Sequence, residues 1–208
     1  MIGAMLPIYE NAVVVCGSGP SFNKEAARIV TAARRAKRVH VIAVNDTYRI
    51  LESPHVVYAA DEPWWRLHSR AVSQACKDSA WLSSDVNSRA HGAGWLPTKP
   101  GAGLAPERAP YVMRGTSSGF QAVGLAIMRG ARRIILAGMD CQASEDGAAH
   151  FFGEHPQQLN RFHPFEVWRE EFDGLAEPAR ARGIDIVVCG RTAIGKLRHG
   201  DLREEVNK

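Results

Sequence analysis

The chain has 208 residues, 45% of them hydrophobic and 23% charged, which suits one ordinary globular domain with a full core and excludes a disordered chain. A mean hydropathy of −0.21 and apolar runs of strand length argue against membrane spans. The net charge is +4 and the isoelectric point about 9.0. The excess is local: Lys24, Arg28, Arg34, Arg35, Lys37 and Arg38 face only Glu25. A solvated helix face accounts for such a run, with attraction to nucleic acid or a polyphosphate as the second reading.

Residues 1–8 lack the basic-then-apolar order of a secretory signal. The four cysteines, Cys16, Cys76, Cys141 and Cys189, form no C-x-x-C pair. A cytoplasmic protein with reduced, structural thiols and no metal site of its own is expected.

Ala12–Cys16 is a β-branched run that reads as a buried strand. It ends at the loop Gly17-Ser18-Gly19-Pro20-Ser21, after which Asn23 is placed to cap a helix over residues 24–36. Val39–Val44 and residues 55–60 read as further strands, ended by the polar turns Asn45-Asp46-Thr47 and Asp61-Glu62-Pro63. Residues 80–83 suggest a short strand within the irregular stretch 73–110. The part at about 84–110, rich in glycine and proline, reads as a lid, a binding loop or a mobile segment. Residues 116–130 form an apolar helix capped by Thr116 or Ser117 and stopped at Gly130. A strand over 134–137 ends at Gly138-Met139-Asp140; a helix over 164–182, broken near Gly174 and Pro178, leads to the last core strand, 184–189. Strands alternating with helices in this way predict one α/β domain over residues 1–208: an open, mostly parallel Rossmann-like sheet with helices on both faces.

Ligands of such sheets bind outside the carboxyl ends of the strands. The polar residues directly after the strands should therefore converge on one rim. Gly17, Ser18, Gly19, Pro20 and Ser21 offer close backbone approach before a helix, a setting that attracts phosphate, though a tight strand–helix turn is the plain alternative. Asn45 and Asp46 join them, as do Thr116, Ser117, Ser118 and Gly119, whose three hydroxyls open a helix. Asp61, Trp64, Asp140 and His150 complete the rim. Asp46, Asp61 and Asp140 are turn or capping aspartates, or else magnesium contacts beside a substrate's phosphates. His150, His155 and His163 offer one general base among them. Trp64 and Trp65 adjoin on a helix, so both should not reach the core; one packs, and the other stacks on a base or sugar or closes a subunit interface.

Taken in order, Gly17-Ser18-Gly19-Pro20-Ser21-Phe22, Val44-Asn45-Asp46-Thr47-Tyr48, Thr116-Ser117-Ser118-Gly119 and residues 130–140 resemble the bacterial sialyltransferases of glycosyltransferase family 42. The Gly19-Pro20-Ser21 loop and the strand ending at Asp140 also resemble the 6-hydroxymethylpterin diphosphokinase-like family. Ala60-Asp61 with Trp64-Trp65, and His150 with Phe152-Gly153 and His155-Pro156, resemble most closely a family of bacteriophage and prophage proteins. The resemblance implies a nucleotide or nucleotide sugar as substrate, cradled by residues 17–21, Asn45 and 116–119, with His163 (or His155) as the base that deprotonates an acceptor hydroxyl. Magnesium is not required in that reading. The sialyltransferases carry asparagine where Ser18 stands, and their paired tyrosines have no match at His150-Phe151-Phe152, which points to a different activated donor. A phage setting would allow a nucleotide or DNA acceptor. The alternatives are a magnesium–ATP pyrophosphokinase-like enzyme and a nucleotide-binding protein without turnover; a homo-oligomer is compatible with each.

Overall fold

A computed structural model describes residues 8–154, 156, 159 and 164–208. Eight strands form one sheet in the order β10-β9-β8-β1-β2-β3-β4-β5, and every adjacent pair is parallel. The central strands are β1 (Ala12–Cys16), β2 (Val39–Val44), β3 (Val56–Tyr58), β8 (Arg133–Ala137) and β9 (Asp185–Cys189). β4 (Ala80–Ser83) and β5 (Gly94–Trp95) extend one flank, and β10 (Arg198–Gly200) closes the other. A separate two-stranded ribbon pairs β6 (Thr98–Lys99) with β7 (Val112–Met113). The expected Rossmann-like α/β class is the observed one.

The central strands are apolar throughout because both of their faces are covered. Successive side chains point to opposite faces. Val13 and Val15 of β1 therefore join the core beneath α3 (Ser118–Met128), α4 (Phe165–Asp173) and α5 (Ala176–Ala181). Val14 and Cys16 join the core beneath α1 (Lys24–Arg35), α2 (Glu62–Ala75) and α6 (Leu202–Glu205).

The local signals act as read. Asn23 Oδ1 accepts from the Glu25 and Ala26 N–H groups at 2.9 and 3.0 Å, and Gly130 stops α3 with φ +95°. The late helix breaks after Asp173; Pro178 falls in the first turn of α5, where its missing N–H leaves no bond unmade. The basic stretch of α1 is a solvated face: Arg35 pairs with Glu52 at 2.5 Å, and Arg38 meets Asn207. All four cysteines are free and buried.

Two expectations change. Trp64 and Trp65 are both buried, because α2 is covered on two sides. Trp65 Nε1 donates to the Ala59 carbonyl at 3.0 Å. Trp64 packs edge-on against Tyr48 of a 3-10 turn, Asn45–Arg49, and stacks on His68. The segment near 84–110 is also more ordered than its composition implies. It contains a 3-10 helix, Val86–His91, stopped at Gly92, and then β5 and β6.

Candidate functional site at the sheet switch point

The chain runs outward from β1 through β2, β3 and β4, then returns to place β8 on the other side of β1. The crevice beyond the carboxyl ends of β1 and β8 is the switch point of the sheet. A cavity of about 290 Å³ opens there. Gly17, Ser18, Gly19, Asn45, Asp61, Thr116, Ser117, Ser118, Gly119, Asp140 and His150 all line it. Pro20, Ser21, Asp46 and Trp64 do not. His155 and His163 lie outside the described residues.

The glycine loop is shaped first by packing. A Cβ on Gly17 would sit 2.5 Å from the Gly138 carbonyl oxygen, and one on Gly19 would sit 2.6 Å from the Asp140 carboxyl. The backbones of the two switch-point loops thus touch where no side chain fits. Most of the loop's donors are used in the same contact. Gly17 N–H donates to the Ala137 carbonyl at 2.8 Å, and Gly19 N–H to the Gly138 carbonyl at 2.9 Å. The Ser21 N–H and hydroxyl both donate to Asp140, at 2.8 and 2.5 Å. Burial pushes the Asp140 carboxyl above its ordinary range, against the pull of the Ser21 bonds and Arg191. Asp140 is therefore a brace for the loop. The amino end of α1 opens on the other side of the sheet, in a shallow depression beside Cys189 and Gly200.

The phosphate-type donors come instead from α3. Ser117 caps this helix, its hydroxyl accepting from Phe120 N–H at 3.2 Å. The Ser118 hydroxyl accepts from Ala60 N–H at 3.1 Å and ties the helix to the end of β3. Thr116 is consumed: its N–H and hydroxyl donate to Glu171 Oε2 at 3.1 and 2.9 Å. The Ser118 and Gly119 N–H groups, the first two of the helix, meet no acceptor among the described residues.

Asn45 sits on the rim with φ +51°, and Cys141 with φ +48°. Left-handed backbone at a residue other than glycine costs about 1–2 kcal/mol and gathers at functional sites; here two such residues border one cavity. Thr47 holds the Asn45 turn by donating to the Val44 and Cys16 carbonyls at 3.0 and 3.2 Å. The Cys141 thiol is pushed up to about 12, first by burial and then by the carboxylates around it, which disfavours its thiolate.

Ser18 and His150 share a hydrogen bond of 3.1 Å inside the cavity. The imidazole stacks on Phe152, and Phe151 N–H donates to the Ser18 carbonyl at 3.0 Å, which fixes this pair from two sides. Asp61 heads α2 without a capping bond and stands exposed on the cavity wall.

Asp46 belongs to the protein interior. It is 1% exposed, accepts from Trp64 Nε1 at 3.0 Å, and lies 3.0 Å from Arg49 Nε. Asp46→Ala should therefore cost about 2 kcal/mol in denaturant unfolding, with ligand affinity at the cavity unchanged within about twofold. Lost affinity at intact stability would return Asp46 to the site.

The residues that sequence reasoning missed are the apolar ones. Met139 and the α4 side chains Phe165, Trp168 and Phe172 form one wall of the cavity. Phe165 and Trp168 meet edge to face at 5.6 Å. Among the described lining residues, none is lysine or arginine. No group of three or more His, Cys, Asp or Glu among the described residues is placed to hold a metal ion.

The chain matches no protein-family model, no curated protein and no solved structure. No helix among the described residues is long and apolar enough to cross a membrane.

Proposed function

We infer that this cavity binds a nucleotide-type ligand, and that the chain is a glycosyltransferase-like enzyme moving a group from a nucleotide-activated donor to an acceptor hydroxyl. The observation that carries the reading is the meeting of two kinds of surface in one switch-point cavity: a helix start with open N–H groups faces an aromatic wall. The Ser118 and Gly119 N–H groups and the Ser117 hydroxyl suit a phosphate. Trp168 and Phe165 suit a base or a sugar face, and Asn45 and Asp61 suit its polar edge.

With Glu171 already on Thr116 and no cation among the described lining residues, the donor side fits one or two phosphates better than three. His163 or His155 is the proposed general base; His150, from the same histidine-rich part of the sequence, lines the cavity. A cytoplasmic setting and a nucleotide or DNA acceptor belong to the same proposal. The second reading is a magnesium–ATP pyrophosphokinase, with Asp46, Asp61 and Asp140 on the metal. It is less favoured because Asp46 is tied to Trp64 and Arg49, and Asp140 to Ser21.

The test is a thermal-shift series over nucleoside mono- and diphosphates and nucleotide sugars, with and without magnesium. A ligand at a hundred times its Kd should add about 2.7 kcal/mol, or roughly 5–10 °C for a chain of this size. Trp168→Ala should weaken the responding ligand by about 5- to 150-fold, the range of a lost base–aromatic stack. No shift with any nucleotide ends the proposal; a shift without product on long incubation leaves a binding protein. A shift that appears only with magnesium favours the kinase reading.

A further inference from the structure

A second cavity, of about 310 Å³, lies at the opposite end of the sheet. It sits beside Ala131 and Arg132, which lead into β8, and Ile184, which leads into β9. It is walled by Met113, Phe120, Ile127, Met128, Leu175 and Ile184 and roofed by the segment 103–111. That segment is part of the glycine- and proline-rich stretch whose sequence suggests a lid or binding loop. None of it borders the switch-point cavity.

Three cations stand around this apolar space: Arg108, Arg132 and Arg182 line it, against the single carboxylate Glu107. Two of them are oriented by neutral groups. Arg182 Nη1 donates to the Ala105 carbonyl at 2.7 Å and so fastens the roof, and Arg132 Nη1 donates to the Arg182 carbonyl at 2.9 Å. A carbonyl orients a guanidinium without cancelling its charge. None of the three forms an ion pair with a carboxylate among the described residues. The volume is that of a small-molecule site, and an apolar interior under a rim of positive charge is complementary to one kind of molecule.

We propose that this cavity binds a single-chain anionic amphiphile, a medium-chain carboxylate whose alkyl tail lies between α3 and the α4–α5 junction and whose head meets Arg108, Arg132 and Arg182. The site is separate from the switch-point cavity and does not depend on what that cavity binds.

The experiment is titration calorimetry of the full chain with octanoate, decanoate, decanol and decyltrimethylammonium, all below their micellar concentrations. Decanoate is expected to bind at one site. Its affinity should exceed that of octanoate by about fourfold per methylene while the cavity still has room. Decanoate should also exceed decanol by at least tenfold at low salt, with the advantage shrinking as salt is added. Arg132→Glu should abolish that advantage and leave decanol binding in place, and Ile127→Trp should block both. The salt dependence is read on the unaltered protein, so it stands even if a variant fails to fold.

Equal affinity for decanoate, decanol and the cationic decyl compound would overturn the proposal. So would absence of heat with decanoate. A concentration-dependent dimer that decanoate dissociates in sedimentation would also overturn it, by assigning the cavity to a second copy of the chain.

Discussion

Gly138→Ala is expected to destabilise the protein by about 2–5 kcal/mol, lowering the melting temperature by roughly 5–15 °C. Two separate costs combine. Gly138 has φ +72°, a backbone conformation that costs alanine about 1–2 kcal/mol. Its Cβ would also run into the Gly17 carbonyl oxygen and lie 2.5 Å from Phe22 Cβ; overpacking of this kind costs about 1–3 kcal/mol. Neither neighbour can yield easily, because the Gly17 backbone is held by Ala137 and Phe22 is fully buried. Gly103→Ala is the control. Gly103 has φ +89° but nothing within 4 Å of an added Cβ, so it carries the conformational cost alone. Calorimetric melting of both variants should separate the two terms. Equal melting temperatures would show that the touching loops relax freely, and the packing account of the glycine loop would be wrong.

The second large effect is expected far from the cavity, at Glu205. This carboxylate is 2% exposed and is met by Arg133, by Arg198 at 2.8 Å and by Lys208 at 2.7 Å. Gly200 leaves the space it occupies, since a Cβ there would stand 2.8 Å from Glu205 Cγ. Arg198 above all, with Lys208 and Arg133 behind it, holds the carboxyl down at about 2 against the opposing effect of burial. Glu205→Ala removes the carboxylate that the three cations share, leaving Arg133 and Arg198 to Asp185 and Lys208 to solvent, and should cost about 1–3 kcal/mol.

The pH dependence follows from the sign of the shift. A carboxyl lower in the folded than in the unfolded chain adds stability above pH about 4.5 and loses it as the pH falls toward about 2. His55 adds an earlier decline. Burial lowers this histidine to about 4, and its Nδ1 accepts from Val41 N–H at 3.1 Å. Its contribution is full above pH about 6.5 and is lost between there and about 4. Urea midpoints measured from pH 7 to pH 2.5 should fall in two overlapping steps, and Glu205→Gln should remove the lower one. A variant with the full acid-side loss would refute the assignment.

The sequence made the sheet legible because its signals are local. A run such as Ala12–Cys16 needs both faces covered, and a turn such as Asn45-Asp46-Thr47 follows each strand end. The convergence of residues 17–19, Asn45, Asp61 and Asp140 on one cavity followed from that layout; residues 116–119 and His150, which follow no predicted strand, line the same cavity. The partner of each polar group was not legible. Asp46 looks like any turn aspartate until Trp64 and Arg49 are folded onto it. Thr116 looks like a free hydroxyl until α4 brings Glu171 from 55 residues away. The aromatic wall escaped for a similar reason: Phe165, Trp168 and Phe172 follow helical spacing and read as a core stripe, although that stripe divides between core and cavity. β10 and α6 span three and four residues, too few for any periodicity.

The contact between β1 and β8 also has a consequence for how the chain is made. Ser21 and Asp140, which meet beside that contact, are 119 residues apart. Pairings of such separation are slow to form because a long loop must close first. During synthesis β1 can find β2 early, but its other edge stays bare until β8 has left the ribosome, and a bare apolar edge invites misassociation. The growing chain thus carries the glycine loop, Asn45 and Asp61 well before it owns a pocket. Ligand capture at the switch point would reward only a chain in which β8 and α4 are already in place.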